Sequence, residues 1–251
     1  MDVFAAVVLG LLLGSFLSVL LERWETKEGI VAGRSRCPQC RHELAWYDLV
    51  PLLSWAFLRG RCRYCSAPIH WRYPLMEVVM ASVLAVYVAR WGVPFGWESV
   101  DVLVLFGLVA LVFFDARWFI LPDVFTYGLS VLLLIRLAAT MPEAFPGAFG
   151  TAVFLAAVFF FLYMVTRGAG VGLGDVKLGI AIGLLFGFPG GLVVTTAAIW
   201  AGALVGIGLM VAGKADRKTP MPFGTFWAAA AVVALLVPEP VSFVSSLLTL
   251  P

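Results

Sequence analysis

Two aspartates stand where apolar stretches meet polar chain. Asp115 closes the run Val102 to Phe114, and Asp175 ends Gly172-Leu173-Gly174-Asp175, just ahead of another apolar run. Ionising a carboxylate beside hydrocarbon is costly, so each is a candidate for chemistry. Facing each other, the two would share one proton, the ionised member serving as base and its protonated neighbour as acid. That is the apparatus of aspartic proteolysis, here set in a membrane. The glycines at 168, 170, 172 and 174 remove side chains from the backbone before Asp175 and suit close approach of a second, extended chain. The alternative is a structural role, with Asp115 and Asp175 paired to Arg117 and Lys177.

A second constellation is Cys37-Pro38-Gln39-Cys40 followed by Cys62-Arg63-Tyr64-Cys65. Two C-x-x-C knuckles at this separation bring four thiolates within tetrahedral reach of one Zn²⁺, a closed structural site with no position left for water. Cys37, Cys40, Cys62 and Cys65 are the only cysteines in the chain. Two disulfides are the competing arrangement, disfavoured where thiols stay reduced. His42 and His70 follow the knuckles but are expected outside the ligand set, since four sulfurs fill the site. No H-E-x-x-H occurs, so the metal is not that of a zincin.

The elements that must position these groups are membrane helices. Hydrophobic residues make up 62% of the chain and charged residues 13%, far from the soluble balance. Apolar runs fall at 3 to 21, 75 to 91, 101 to 119, 123 to 139, 148 to 166, 176 to 188, 190 to 212 and 223 to 237. The expectation is an all-α polytopic membrane protein of about eight transmembrane helices with a small zinc-binding domain. Pro189-Gly190-Gly191 reads as a tight turn between the sixth and seventh. The first run lacks a basic n-region and a clear cleavage site, which predicts a retained helix rather than a removed signal. Three parts follow: 1–21 as the first helix, 22–73 as the tetra-cysteine domain, and 74–251 as the membrane-embedded domain carrying both aspartates.

Charge sets the sidedness. Arg23, Lys27, Arg34, Arg36, Arg41, Arg59, Arg61, Arg63 and Arg72 crowd the first long loop, and Arg117, Arg167, Lys177, Lys214, Arg217 and Lys218 share its side. Only Arg90 and Arg136 fall opposite. Basic loops stay in the cytoplasm, so the N-terminus is expected outside, with the cysteine domain and the ends bearing Asp115 and Asp175 inside. Asp123, after Leu121-Pro122, is expected to cap the fourth helix. Glu77 either pairs with Arg72 or lines a polar pocket. Asp2, Glu98, Asp101, Glu143 and Glu239 are expected in solvent. Trp24, Trp91, Trp97, Trp118 and Trp227 fit interfacial belts.

These residues resemble the type IV prepilin peptidases, bacterial inner-membrane aspartic proteases of the Gly-x-Gly-Asp class, along nearly the whole chain. Gly14-Ser15-Phe16-Leu17-Ser18-Val19 with Arg23 is similar to the family's N-terminal signature, and Cys37 to Ile69 to its cytoplasmic zinc domain. Tyr73-Pro74 with Glu77 follows. Asp115 with Ile120-Leu121-Pro122-Asp123 and Thr126 resembles the first catalytic motif, Gly172 to Leu178 the second, and Pro222-Phe223-Gly224-Thr225-Phe226 the motif that opens the last helix. Three positions depart from the pattern: Ser18 for Asn, Trp24 for Pro after Arg23, and Thr225 for Pro. None is expected to touch the aspartates.

The resemblance implies Asp115 and Asp175 as catalytic residues, with Gly172, Gly174, Lys177, Asp123, Glu77 and Arg72 in support. It implies a prepilin or pseudopilin precursor as partner, cut after Gly behind a short basic leader. It also implies N-methylation of the new terminus with S-adenosylmethionine, although no Gly-x-Gly-x-x-Gly fingerprint occurs. The expected partners are that precursor and the lipid bilayer, with no nucleic acid. A proton-coupled transporter and a zinc-bearing assembly factor without catalysis are the alternatives from other classes.

Overall fold

The computed structural model describes residues 3–26, 33–94, 96–216 and 219–242. Asp2, Lys27, Arg217 and Lys218 lie outside the described residues, as do the side chains of Trp97 and Glu98. The elements are α1 (Val3–Thr26), α2 (Leu53–Phe57), α3 (Arg72–Trp91), α4 (Val100–Trp118), α5 (Asp123–Thr140), α6 (Phe145–Thr166), α7 (Leu173–Val211) and α8 (Phe223–Leu236). Among the described residues the only β pairings are two isolated bridges, so the fold is all-α. Among the described residues five helices are long and apolar enough to cross a bilayer: α1, α3, α5, α6 and α7. Of the other two apolar helices, α4 carries Asp101, Asp115 and Arg117, and α8 has 14 residues, short of the roughly 20 that a span needs.

At 39 residues α7 is too long for one straight crossing. It breaks at Gly187 (φ 59°, ψ −167°) and Phe188 (φ −89°, ψ 138°). The expected turn at Pro189-Gly190-Gly191 is therefore displaced, and those three residues are buried in the second half of the helix. Gly187 supplies a left-handed φ that side chains resist, and Pro189, lacking an N–H, suits a first helical turn.

The chain forms two compact units, Met1–Pro94 and Phe95–Pro251. In the first, α1 packs on α3 almost backbone to backbone. A Cβ at Gly10 would lie 2.4 Å from Ala81 Cα, and one at Gly14 2.5 Å from Glu77 Cα. Small residues four apart permit this approach, the means by which helices associate without a hydrophobic drive.

In the second unit α6 and α7 meet as closely, a Cβ at Gly183 falling 2.3 Å from Ala152 Cα. Trp227 of α8, expected at an interface, is instead completely buried and stacks on Phe159 at 4.4 Å. Gly179 leaves room for its ring. Asp101, expected in solvent, is buried and pairs with Arg136 of α5. Glu143 and Glu239 are exposed.

Candidate active site and metal centre

The tetra-cysteine segment builds its centre from two copies of one short motif, offset by 25 positions. In the first knuckle the Arg41 N–H donates to Cys37 O and the Cys37 N–H to His42 O; in the second, Ser66 donates to Cys62 O and Cys62 to Ala67 O. Bridges Arg36–Glu43 and Arg61–Pro68 close each loop. Arg41 (φ 57°) and Ser66 (φ 59°) both turn left-handed just after the second cysteine. All four sulfurs lie within 4.8 Å of one another, and Cys37 Sγ to Cys65 Sγ is 3.8 Å. That is the edge of a tetrahedron with Zn–S bonds of about 2.3 Å, and far from the ~2.05 Å of a disulfide. The thiols are free, so the disulfide alternative is not formed and the donors fit a zinc ion.

The histidines stand apart from this repeat. The position matching His42 in the second knuckle is Ala67. His42 packs against Tyr64 with ring centres 3.7 Å apart and planes tilted by 33°, and His70 Nδ1 accepts the Arg72 N–H at 3.2 Å.

Asp48, in the 3₁₀ turn Trp46–Leu49, ties the second knuckle to the chain between the two. It accepts Arg63 Nε at 2.7 Å, Tyr64 Oη–H at 3.1 Å and the Ala45 N–H at 3.3 Å. Burial works to raise its pKa, but these donors prevail and hold it below the usual carboxylate range.

In the second unit Asp115 lies one turn before the end of α4, which Phe119 terminates in the left-handed region by donating to Asp115 O. Asp175 is the third residue of α7, and its carboxylate accepts the Gly172 N–H at 2.9 Å. This satisfies an amide that the helix start leaves without a partner. Both carboxylates are buried, with 5% and 8% of each residue exposed, and they are close enough for the charge of Asp115 to act on Asp175. Neither forms the alternative ion pair. Asp115 Oδ2 accepts the Thr225 N–H at 2.6 Å and the Thr225 hydroxyl at 3.0 Å, while Lys177 goes to Asp123 at 2.6 Å.

Thr225 therefore touches an aspartate, contrary to expectation. The proline expected there has no N–H and could make neither bond. The departure from pattern was the available signal. Leu121 gave none. Its side chain fills the space beside two glycines: a Cβ at Gly174 would lie 3.1 Å from Leu121 Cβ, and one at Gly224 2.9 Å from Leu121 Cδ1 and 3.1 Å from Asp115 Oδ2. Gly174 is thus occupied by a neighbour rather than left open, whereas Gly168, Gly170 and Gly172 are exposed.

Residues 8–91 match the Bacterial Peptidase A24 N-terminal domain, and residues 102–207 match the Type IV leader peptidase family. A prepilin leader peptidase/N-methyltransferase of Aeromonas hydrophila is 35% identical across 90% of this chain and 87% of its own length. One from Stutzerimonas stutzeri is 34% identical across 93% and 90%. One from Myxococcus xanthus is 40% identical across 84% of this chain and 64% of its own. The chain belongs to the type IV leader peptidase family. No solved structure matches it.

Membership in this peptidase family makes the chain an enzyme rather than a transporter or a passive assembly factor. The residues expected in support fall in two groups. Asp123 does not cap α5, whose N-cap is Pro122. Its carboxylate instead anchors Lys177, which also lies 5.1 Å over the Tyr127 ring. This ties α5 to the N-terminal end of α7, two residues from Asp175. Thr126 is buried against Pro122 O and Asp123 O, at 3.4 Å from each.

Glu77 and Arg72 do not pair. Glu77 Oε2 accepts the Leu52 N–H at 2.8 Å. Arg72 lies 5.3 Å over the Tyr73 ring. Ser18, one of the departures, donates to Ser15 O inside α1.

Proposed function

We propose that this enzyme is a membrane aspartic endopeptidase that removes the basic leader of a type IV prepilin or pseudopilin by cutting after Gly at the cytoplasmic face. The observation that carries the reading is the buried, electrostatically coupled pair Asp115 and Asp175, at the end of α4 and the start of α7. The names of the relatives supply the substrate class.

One carboxylate takes a proton from water as the oxygen adds to the glycine carbonyl carbon. The protonated partner hydrogen-bonds the carbonyl oxygen, then gives its proton to the departing amine as the C–N bond breaks. The pair holds one proton before and after the cut and two while the oxyanion intermediate lasts, and it titrates as a unit. Thr225 holds the Asp115 carboxylate in place, and the Gly172 amide holds that of Asp175. The exposed backbone at Gly168, Gly170 and Gly172 offers an edge to an extended substrate segment.

Cys37, Cys40, Cys62 and Cys65 are the residues to hold zinc, which would staple residues 33–70 without entering the chemistry. The basic loops favour an external N-terminus and a cytoplasmic cysteine segment in a multi-pass inner-membrane protein. N-methylation of the mature terminus with S-adenosylmethionine is inferred from the relatives' name alone. Glu77 and Arg72, named above in support, are engaged separately.

The test is cleavage of a prepilin by the reconstituted full-length enzyme, with the product identified by mass spectrometry. Loss of the cut in both Asp115→Asn and Asp175→Asn, with zinc content retained, supports the assignment. Undiminished cleavage by either variant removes that residue from it. A mature product carrying one added methyl, dependent on the methyl donor, decides the second activity.

A further inference from the structure

The one-turn helix α2 presents large apolar side chains to its surroundings. Phe57 is 83% exposed and Leu53 56%, four residues apart and so on the same side of the turn. Trp46 is 79% exposed and Trp71, at the entry to α3, 61%. A soluble loop rarely carries so much uncovered hydrocarbon without a partner.

The depth of α2 follows from hydrogen bonds within the first unit. The Leu52 N–H, immediately before α2, donates to Glu77, five residues inside α3 and so about 7.5 Å along its axis from Arg72. Trp55 of α2 donates its indole N–H to Ile69 O at 3.2 Å, just before α3 begins. α3 is one of the helices able to cross a bilayer, and α2 is held beside its first turns.

Charge identifies the occupant. Residues 33–73 contain seven arginines against Glu43 and Asp48. The two acids are taken by Arg34, Arg36 and Arg63. Arg41, Arg59 and Arg61 are exposed and form no ion pair among the described residues. Arg59 and Arg61 follow directly on the apolar tip at Phe57-Leu58. Apolar groups backed by free guanidinium groups match the acyl boundary and anionic headgroups of a lipid leaflet. They do not match a basic leader peptide, which this surface repels.

We propose that α2 is an interfacial anchor: Leu53 and Phe57 insert into the leaflet bordering the Arg72 end of α3, and Arg59 and Arg61 bind the headgroups of anionic phospholipid there. The tetra-cysteine segment then rests on the membrane surface.

The test uses the full-length enzyme in vesicles, with Phe57→Trp as reporter and the wild-type emission subtracted. Phe57 is exposed, and unchanged zinc content verifies that the fold tolerates the change. The added emission is expected to be quenched by lipids brominated near the headgroup end of the acyl chain, more strongly with phosphatidylglycerol present than in pure phosphatidylcholine. Arg59→Glu and Arg61→Glu should each weaken that preference about fivefold.

Quenching by aqueous iodide but not by brominated lipid overturns the proposal. So does protection that appears only when a prepilin peptide is added, which would assign the surface to substrate. On unmodified protein, a photoreactive phosphatidylglycerol should label residues 46–61, and labelling confined to the spanning helices is equally fatal. None of these readouts uses catalysis, so the anchor and the aspartate assignment stand or fall separately.

Discussion

The cysteine centre and the aspartate pair are built on opposite plans. Each knuckle closes itself with backbone hydrogen bonds to residues four or five positions away, and the sulfur contact that joins them spans 28 positions. The Asp115–Thr225 contact spans 110 positions and Asp123–Lys177 54. A locally closed site tolerates repacking of helices but not the loss of a ligand. A site assembled from four helices tolerates little added volume, because its geometry is the packing itself.

The comparison breaks most sharply at the metal. Replacing any one of the four cysteines by serine should take zinc from one ion per chain to none and unfold residues 33–70, since structural zinc contributes on the order of 10 kcal/mol to such segments. Metal analysis with amide exchange reads both. Full protection without metal would mean that the backbone turns suffice.

Next come the carboxylates themselves. Asp115→Asn or Asp175→Asn should lower prepilin cleavage by about 10²- to 10⁴-fold, the usual scale of acid–base catalysis, while zinc remains.

The packing claim is tested by adding one carbon. Gly224→Ala and Gly174→Ala should each cut activity about 10- to 100-fold, matching the 1–3 kcal/mol of overpacking. Leu121→Ala should restore part of it, more for Gly224→Ala, whose nearest neighbours are the Leu121 methyls. Strictly additive losses would mean that Leu121 does not set this geometry.

Removing one hydrogen bond has a smaller effect. Thr225→Val keeps the backbone donor to Asp115 and should cost about 1.5 kcal/mol, read as a roughly tenfold drop in kcat with a shifted pH profile. An unchanged profile would make Thr225 a packing residue only.

The smallest effect lies back in the cysteine segment. Asp48→Asn should speed amide exchange over residues 45–64 by about 0.5–1.5 kcal/mol at neutral pH. Because the native pKa of Asp48 is depressed, its stabilisation is complete above the unfolded value of about 3.9 and disappears as pH falls through the native one. Wild type and variant should converge in acid. A gap that persists there would place the contribution elsewhere.

Much of this was legible in the chain. The four cysteines, their spacing and the aspartates flanking apolar runs announce their chemistry by residue type, and each apolar run is helical. What was misplaced has a common cause. Trp227 reads as interfacial by type, but Gly179, 48 positions earlier, makes a slot for its ring. Asp101 reads as solvated until Arg136 arrives from α5. Asp123 reads as a helix cap, yet its carboxylate goes to Lys177. In each case the partner is distant in sequence, and nothing local encodes it.

By itself the sequence determined that this is a helical membrane protein with a tetra-thiolate centre and two acidic groups at helix ends, since hydrocarbon content, short spacings and charge placement are local properties. Only the tertiary structure decided that Thr225 grips Asp115, that Leu121 wedges between Gly174 and Gly224, and that Glu77 seats Leu52 beside α3. Those contacts depend on which helices touch, and helix packing is a property of whole surfaces rather than of any one stretch of residues.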